Sequence, residues 1–144
     1  MDALDAILAA REGSEHVLSL HAVRSADAVL DLLEKHHACE RSHAILHWFS
    51  GTSDDLARAR RMGCLFSVNP RMLATRKGRE YARQIPLAQL LLETDLPYEK
   101  DGPVARTAQA HATLLRQTLT DLCELRCEDV TSAIATTSRH LLQM

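Results

Sequence analysis

Four times along this chain a short apolar run of strand character alternates with a segment of helical periodicity, and that alternation constrains the fold most. The runs are His16–His21, His43–His47, Cys64–Val68 and Gln89–Glu93. Strands that alternate with helices predict parallel βαβ units joined by right-handed crossovers, an α/β chain. A helix is expected from Asp2 to Arg11, closed by Gly13, and another from Ala26 to His36. The second carries Ala26, Val29, Leu30, Leu33 and His37 along one stripe and is capped by Ser25 or Asp27. Ser53 and Asp54 open a third that ends at Gly63, and a basic segment from Thr75 to Gln84 forms a fourth. Beyond Pro97 and a Gly102-Pro103 loop, a long helix runs through Val104, Ala108, His111, Leu115, Thr118, Leu122 and Leu125. A last one carries Val130, Ile134, Thr137 and Leu141.

The strand ends carry the chemistry. Val17-Leu18-Ser19-Leu20 runs into His21, Ala44-Ile45-Leu46 runs into His47, and Leu90-Leu91-Leu92 runs into Glu93-Thr94-Asp95. One histidine closing an apolar strand is usually a hydrogen-bonded core residue. Two histidines and an aspartate at the exits of separate strands are what a metal site on one end of a parallel sheet needs. A period of two puts Glu93 and Asp95 on one side with Thr94 on the other, so one carboxylate can take a metal while its neighbour orients a ligand or water. His21, His47 and Asp95 are therefore expected to converge. Phe49-Ser50-Gly51-Thr52 makes a tight turn that aims His47 at the mouth of the sheet. His16, His36, His37, His43, His111 and His140 have no partner at ligand spacing and read as structural or exposed. Trp48 and Phe66 read as core or pocket wall.

Glu93-Thr94-Asp95-Leu96-Pro97-Tyr98 resembles the ETDxPY signature of the TatD family, metal-dependent hydrolases that include DNases. His47-Trp48-Phe49-Ser50-Gly51-Thr52 is similar to that family's HxFSGS/T segment, and His21 with Arg24 to its HxR strand end. Ile45 to Gly51 followed by Gly63 to Pro70 looks closest to the TatD-like member of Qat anti-phage cassettes. The resemblance runs from about Val17 to the end. It implies a (β/α)8 barrel of about 250 residues, of which these 144 residues would be the C-terminal half, strands five to eight, in one half-barrel domain spanning 1–144. The family's first-strand HxH pair is missing, as is its GExGLD-like glutamate segment.

The resemblance further implies a divalent metal (Mg, Mn or Zn) on His21, His47 and Asp95. Asp95 would also polarise the attacking water, with Glu93 supporting from behind. Arg24 is a weak candidate for substrate phosphate, because the family's arginine falls one position earlier, where Val23 stands. Phosphodiester hydrolysis of DNA is the implied activity. The rival reading is a non-catalytic fragment or interaction subunit, completed by self-association or by a separate N-terminal half.

Composition sets limits on these readings. A net charge of −2 gives no general attraction to phosphates, so DNA binding would depend on a local arginine group or on metal. Arg71, Arg76, Lys77, Arg79 and Arg83 follow the third strand, but a solvated basic helix face explains them more simply. The 4 cysteines form no CxxC pair, and Cys123 and Cys127 read as stacked core residues on a helix. No run reaches the ~20 apolar residues of a membrane span. The acidic amphipathic N-terminal segment is unlike a signal peptide. A cytoplasmic location is expected.

Overall fold

In a computed structural model, which describes residues 2–10, 16–95 and 108–143, the chain builds one four-stranded parallel sheet. The strands are β1 (Val17–His21), β2 (His43–His47), β3 (Leu65–Val68) and β4 (Leu90–Leu92), adjacent in chain order. Helices α1 (Asp2–Ala10), α2 (Ala26–Lys35), α3 (Ala38–Arg41), α4 (Ser53–Arg61), α5 (Pro70–Leu73), α6 (Arg76–Gln84), α7 (Ala108–Arg126) and α8 (Thr131–Leu142) complete it. Gly13, Leu96, Pro97, Tyr98, Gly102, Pro103 and Val104 lie outside the described residues.

Alternation in the strands divides the sheet into two faces. Ala44, Leu46, Phe66, Val68 and Leu90 point one way and are essentially inaccessible. They form one apolar cluster with Leu30 and Leu33 of α2, Leu56 and Ala59 of α4, and Tyr81 and Ala82 of α6. On the other face β1 presents Val17, Ser19 and His21 to solvent. Leu65 and Leu91, though buried, stand outside the main cluster, as their parity requires. We call these the helix-covered face and the open face.

The helix stripes behave as expected in α2, where Ala26, Val29, Leu30 and Leu33 are buried. Four details differ. His37 does not continue that stripe; it is exposed and left-handed (φ 50°), and the chain turns there into the short α3. Ser25 occupies the N-cap of α2 without a side-chain cap bond. Ser53 and Asp54 do open α4, but the cap is the preceding Thr52, in a reciprocal capping box with Asp55. Asn69-Pro70 does more than end β3: Asn69 caps α5, and Pro70 takes its first turn, where a missing N–H costs nothing.

Two close approaches tie the helices down. A Cβ at Gly78 would lie 2.1 Å from the Met72 carbonyl oxygen, so only glycine lets α6 fold back on α5. Arg126, at the end of α7, donates from one guanidinium nitrogen to the carbonyls of Ala82, Arg83 and Ile85, satisfying the C-terminal carbonyls of α6. Helix α8 lies at the leading ends of the strands. Thr137 Oγ1 reaches the Ala88 carbonyl before β4, and the His140 ring meets His43 edge-on at 5.4 Å at the start of β2. Both contacts fall at the end of the sheet opposite the strand exits.

The cysteines are distributed otherwise than expected. Cys127 is exposed at a left-handed position after α7, and Cys123 is half-buried, so they are not a stacked core pair. Instead Cys39 and Cys64, from α3 and the residue before β3, sit with sulfurs 3.6 Å apart. Their contact and burial hold the Cys64 thiol far above its ordinary pKa, while the bond from Cys64 lowers that of Cys39.

Candidate active site at the strand ends

Register brings the first two histidines together. His21 and His47 are direct neighbours across β1 and β2, and their rings stack at 4.9 Å with 27° between planes. Ser67 is the neighbour of His47 on β3, and its hydroxyl lies 2.7 Å from His47 Nδ1. Glu93 follows β4 on the same face. One of its oxygens, Oε2, accepts from both His47 Nδ1 and Ser67, and the other accepts from Asn69 Nδ2 at 2.8 Å. Ser19, on β1, is hydrogen-bonded to the remaining ring nitrogen of His47, Nε2. The result is a continuous polar network across all four strands, running Ser19, His47, Glu93, Ser67 and Asn69.

Burial alone would push the Glu93 carboxyl upward; the hydrogen bonds from His47, Ser67 and Asn69 outweigh it. The net effect keeps Glu93 below the ordinary glutamate range and therefore ionised. A buried carboxylate needs such donors, since leaving it unpaired costs several kcal/mol, about 3–5 in the worst cases.

Asp95 is placed differently. β4 ends at Leu92, and Asp95 is exposed with left-handed backbone (φ 55°), so the strand alternation that would put it beside Glu93 does not extend that far. Among the described residues no three His, Cys, Asp or Glu side chains form a group that could hold a metal ion. The structure thus brings His21, His47 and Glu93 to one end of one face and leaves Asp95 at the rim of that end. Thr94, pointing away from this face, is hydrogen-bonded to His111 of α7 at 3.0 Å, which anchors the segment just before Asp95.

The remaining candidates are peripheral. Arg24 is exposed, three residues beyond β1, also with left-handed backbone (φ 55°). Trp48, directly after His47, is the third left-handed residue at a strand exit (φ 39°). Of the basic group, Lys77 donates to the Ser50 carbonyl and Arg83 to the Leu125 carbonyl, while Arg76 and Arg79 are exposed. A cavity of about 470 Å³ lies in the helix layer, lined by Pro70, Leu73, Arg79, Arg83, Asp121 and Glu124. It shares no residue with the strand-end network.

The sequence reading missed Ser19, Ser67 and Asn69. Their signal was parity: each stands at an even spacing from a residue of the open face, where an apolar residue would be the default.

Over residues 2–143 the chain matches the family described as TatD related DNase. It belongs to that family. Among curated TatD relatives it is 33% identical over 81 residues to Deoxyribonuclease Tat-D of Schizosaccharomyces pombe, covering 56% of this chain and 26% of that protein. It is 30% identical over 86 residues to an uncharacterized metal-dependent hydrolase of Haemophilus influenzae, covering 59% of this chain and 33% of that one. The fold matches a crystal structure of a hydrolase TatD family protein from Entamoeba histolytica with a TM-score of 0.69 at 16% identity, over 89% of this chain and 50% of the other. A structure of an uncharacterized amidohydrolase from Saccharomyces cerevisiae matches with a TM-score of 0.71 at 17% identity, over 96% and 57%. The match thus spans a quarter to a third of these curated relatives and about half of these solved structures. TatD membership and the parallel α/β architecture of a TIM-type barrel portion agree with the expectation from the strand-end motifs.

Proposed function

We propose that this TatD-family chain contributes the C-terminal part of a divalent-metal hydrolase of phosphodiesters, with DNA as the substrate. The single observation that carries the reading is the His21–His47–Glu93 constellation at the exit end of the open face. Two imidazoles and two carboxylates, counting Asp95, suit a divalent cation in kind, because nitrogen and carboxylate oxygen ligands fit Zn, Mn or Mg according to their proportion. In number the set falls short, so donors from beyond the described residues are required to close it. His21, His47 and Asp95 are the ligands we assign. When bound, such a cation supplies Lewis-acid polarisation of a phosphoryl oxygen.

The chain's own residues do the rest. Asp95, at the exposed rim, accepts the proton of the attacking water. Glu93 holds the His47 ring in place by its bond to Nδ1, and Arg24 is a weaker candidate for contact with a substrate phosphate. We further propose a cytoplasmic setting and, on the likeness of Ile45–Gly51 and Gly63–Pro70 to Qat cassette proteins, a role in anti-phage defence. No helix among the described residues is long and apolar enough to cross a membrane.

One observation favours a second reading, an interaction subunit without activity of its own. Among the described residues β1 pairs only with β2, and its Val17, Ser19 and His21 face solvent on the open side. Edges and faces of that kind are usually paired or covered. Self-association or a complementary N-terminal half would cover it, within a single half-barrel domain of residues 1–144.

The test is purified chain with end-labelled single-stranded DNA and Mn²⁺ or Mg²⁺, alone and with a TatD N-terminal half added in trans. Little turnover is expected alone, and turnover with the added half that chelation and Asp95→Asn both abolish. Turnover indifferent to Asp95→Asn would refute the assignment of that residue. No turnover in any arm, with a stable complex between the halves, would favour the interaction subunit.

A further inference from the structure

The open face holds a feature that metal-ligand assignments do not cover: every hydrogen-bonding position around His47 is filled, and the filling dictates where its proton sits. Asn69 is wholly buried. Its Oδ1 accepts from the Met72 backbone N–H at 2.8 Å, which an amide nitrogen could not do, so the amide orientation is fixed. Nδ2 is thereby turned toward Glu93 Oε1 at 2.8 Å. Ser67, 2% exposed, donates its only hydroxyl proton to Glu93 Oε2, since a carboxylate only accepts. What remains facing His47 Nδ1 is a carboxylate oxygen and a hydroxyl lone pair, two acceptors. Nδ1 must therefore carry the hydrogen. On a neutral ring Nε2 then keeps its lone pair, and the hydroxyl of Ser19 must donate to it.

We infer that Ser67 and Asn69 are positioning residues that set the tautomer of His47 through Glu93, with the Ser19 hydroxyl donating to the ring's lone pair. The arrangement aims Nε2 toward β1, the strand that carries His21. Asn69 does two jobs at once, capping α5 and steering Glu93, so the start of a helix and the protonation of a ring on another strand are set by one side chain.

Two variants separate these jobs from mere packing. Asn69→Asp is isosteric and its carboxylate can still cap α5, but it cannot donate to Glu93. Ser67→Ala removes the hydroxyl that bridges Glu93 and His47. In metal-free protein labelled with ¹⁵N-histidine, long-range ¹H–¹⁵N spectra, taken at a pH where the ring is neutral, report which ring nitrogen carries the hydrogen. Neutral wild-type His47 is expected to carry it on Nδ1, and each variant to shift the tautomer ratio by about tenfold, the change expected for one charge-assisted hydrogen bond. Hydrogen on Nε2 of the neutral ring in wild type would overturn the inference; so would unchanged ratios in both variants. If Asn69→Asp fails to fold by circular dichroism, Ser67→Ala decides alone.

Discussion

Leu46 and His47, or Phe66 and Ser67, are neighbours in sequence and belong to different worlds. On the helix-covered face, Ala44, Leu46, Phe66, Val68 and Leu90 are sealed in one cluster with residues of α2, α4 and α6. On the open face, the same strands carry Ile45, Leu65 and Leu91 lower down and His21, His47, Ser67 and Glu93 at the exit end. The difference shows how alternation separates folding from chemistry. Residues facing the helices contribute apolar burial, at roughly 25 cal/mol per Å². Residues facing the other way are held by hydrogen bonds whose net contribution is small, about 1 kcal/mol each, but whose directions are strict.

The sharpest way to break this contrast is Phe66→Ala. Its ring is fully buried and meets Phe49 edge-on at 5.6 Å, so urea unfolding should show a loss of about 3–5 kcal/mol. Survival of native stability would mean that the covered face is not the true core. Gly78→Ala comes next, because the added Cβ collides with the Met72 backbone oxygen; about 1–3 kcal/mol should be lost in the same assay. Ser67→Ala, one residue from Phe66 but on the open face, should cost only about 1.5 kcal/mol, the value of one bond to a charged group. A loss as large as that of Phe66→Ala would erase the distinction between the faces. Val17→Thr, at a site 44% exposed, should stay within about 0.5 kcal/mol of wild type in stability while altering any association read by light scattering.

The smallest effect lies away from both faces, where Asp5 of α1 pairs with His36 at 2.7 Å and Lys35 at 2.8 Å. The bond from His36, then that from Lys35, holds the Asp5 carboxyl below its ordinary value of 3.8. A depressed folded-state value stabilises the fold above the unfolded value and is lost as pH falls through the folded one. Acid titrations of unfolding should therefore show wild type losing stability below about pH 4 slightly faster than Asp5→Asn. Identical acid limbs would show that this surface pair contributes nothing, as many exposed pairs do.

How much of this was legible in the chain depends on the range of the interaction concerned. The four strands could be read because apolar runs bounded by helical periodicity are a local signal, and the placement of His21 and His47 at strand exits followed from it. Helices α3 and α5, four residues each, are too short to show a period. α5 did carry a local mark, since Asn69 followed by Pro70 is a cap followed by a favoured first-turn residue. Asp95 was placed by extending a strand period past the residue where the strand ends, and the left-handed backbone there was invisible to pattern. Ser67 and Asn69 owe their roles to Glu93, more than twenty positions away, and the contact of Cys39 with Cys64 is likewise a product of tertiary packing.

Arg24, Trp48 and Asp95 share a backbone conformation that L-residues other than glycine avoid, at a cost of about 1–3 kcal/mol each and least for aspartate. All three follow strand exits on the side where the candidate site lies. Suppose the gene were diversified and its products selected for heat resistance alone. Glycine or asparagine should accumulate at Arg24 and Asp95, since both are exposed and nothing in packing would resist the change. Selection for whatever the site does should hold the native side chains against that drift. The two populations would part at these positions first, and the divergence between them would trace the functional rim of the molecule without any assay of its chemistry.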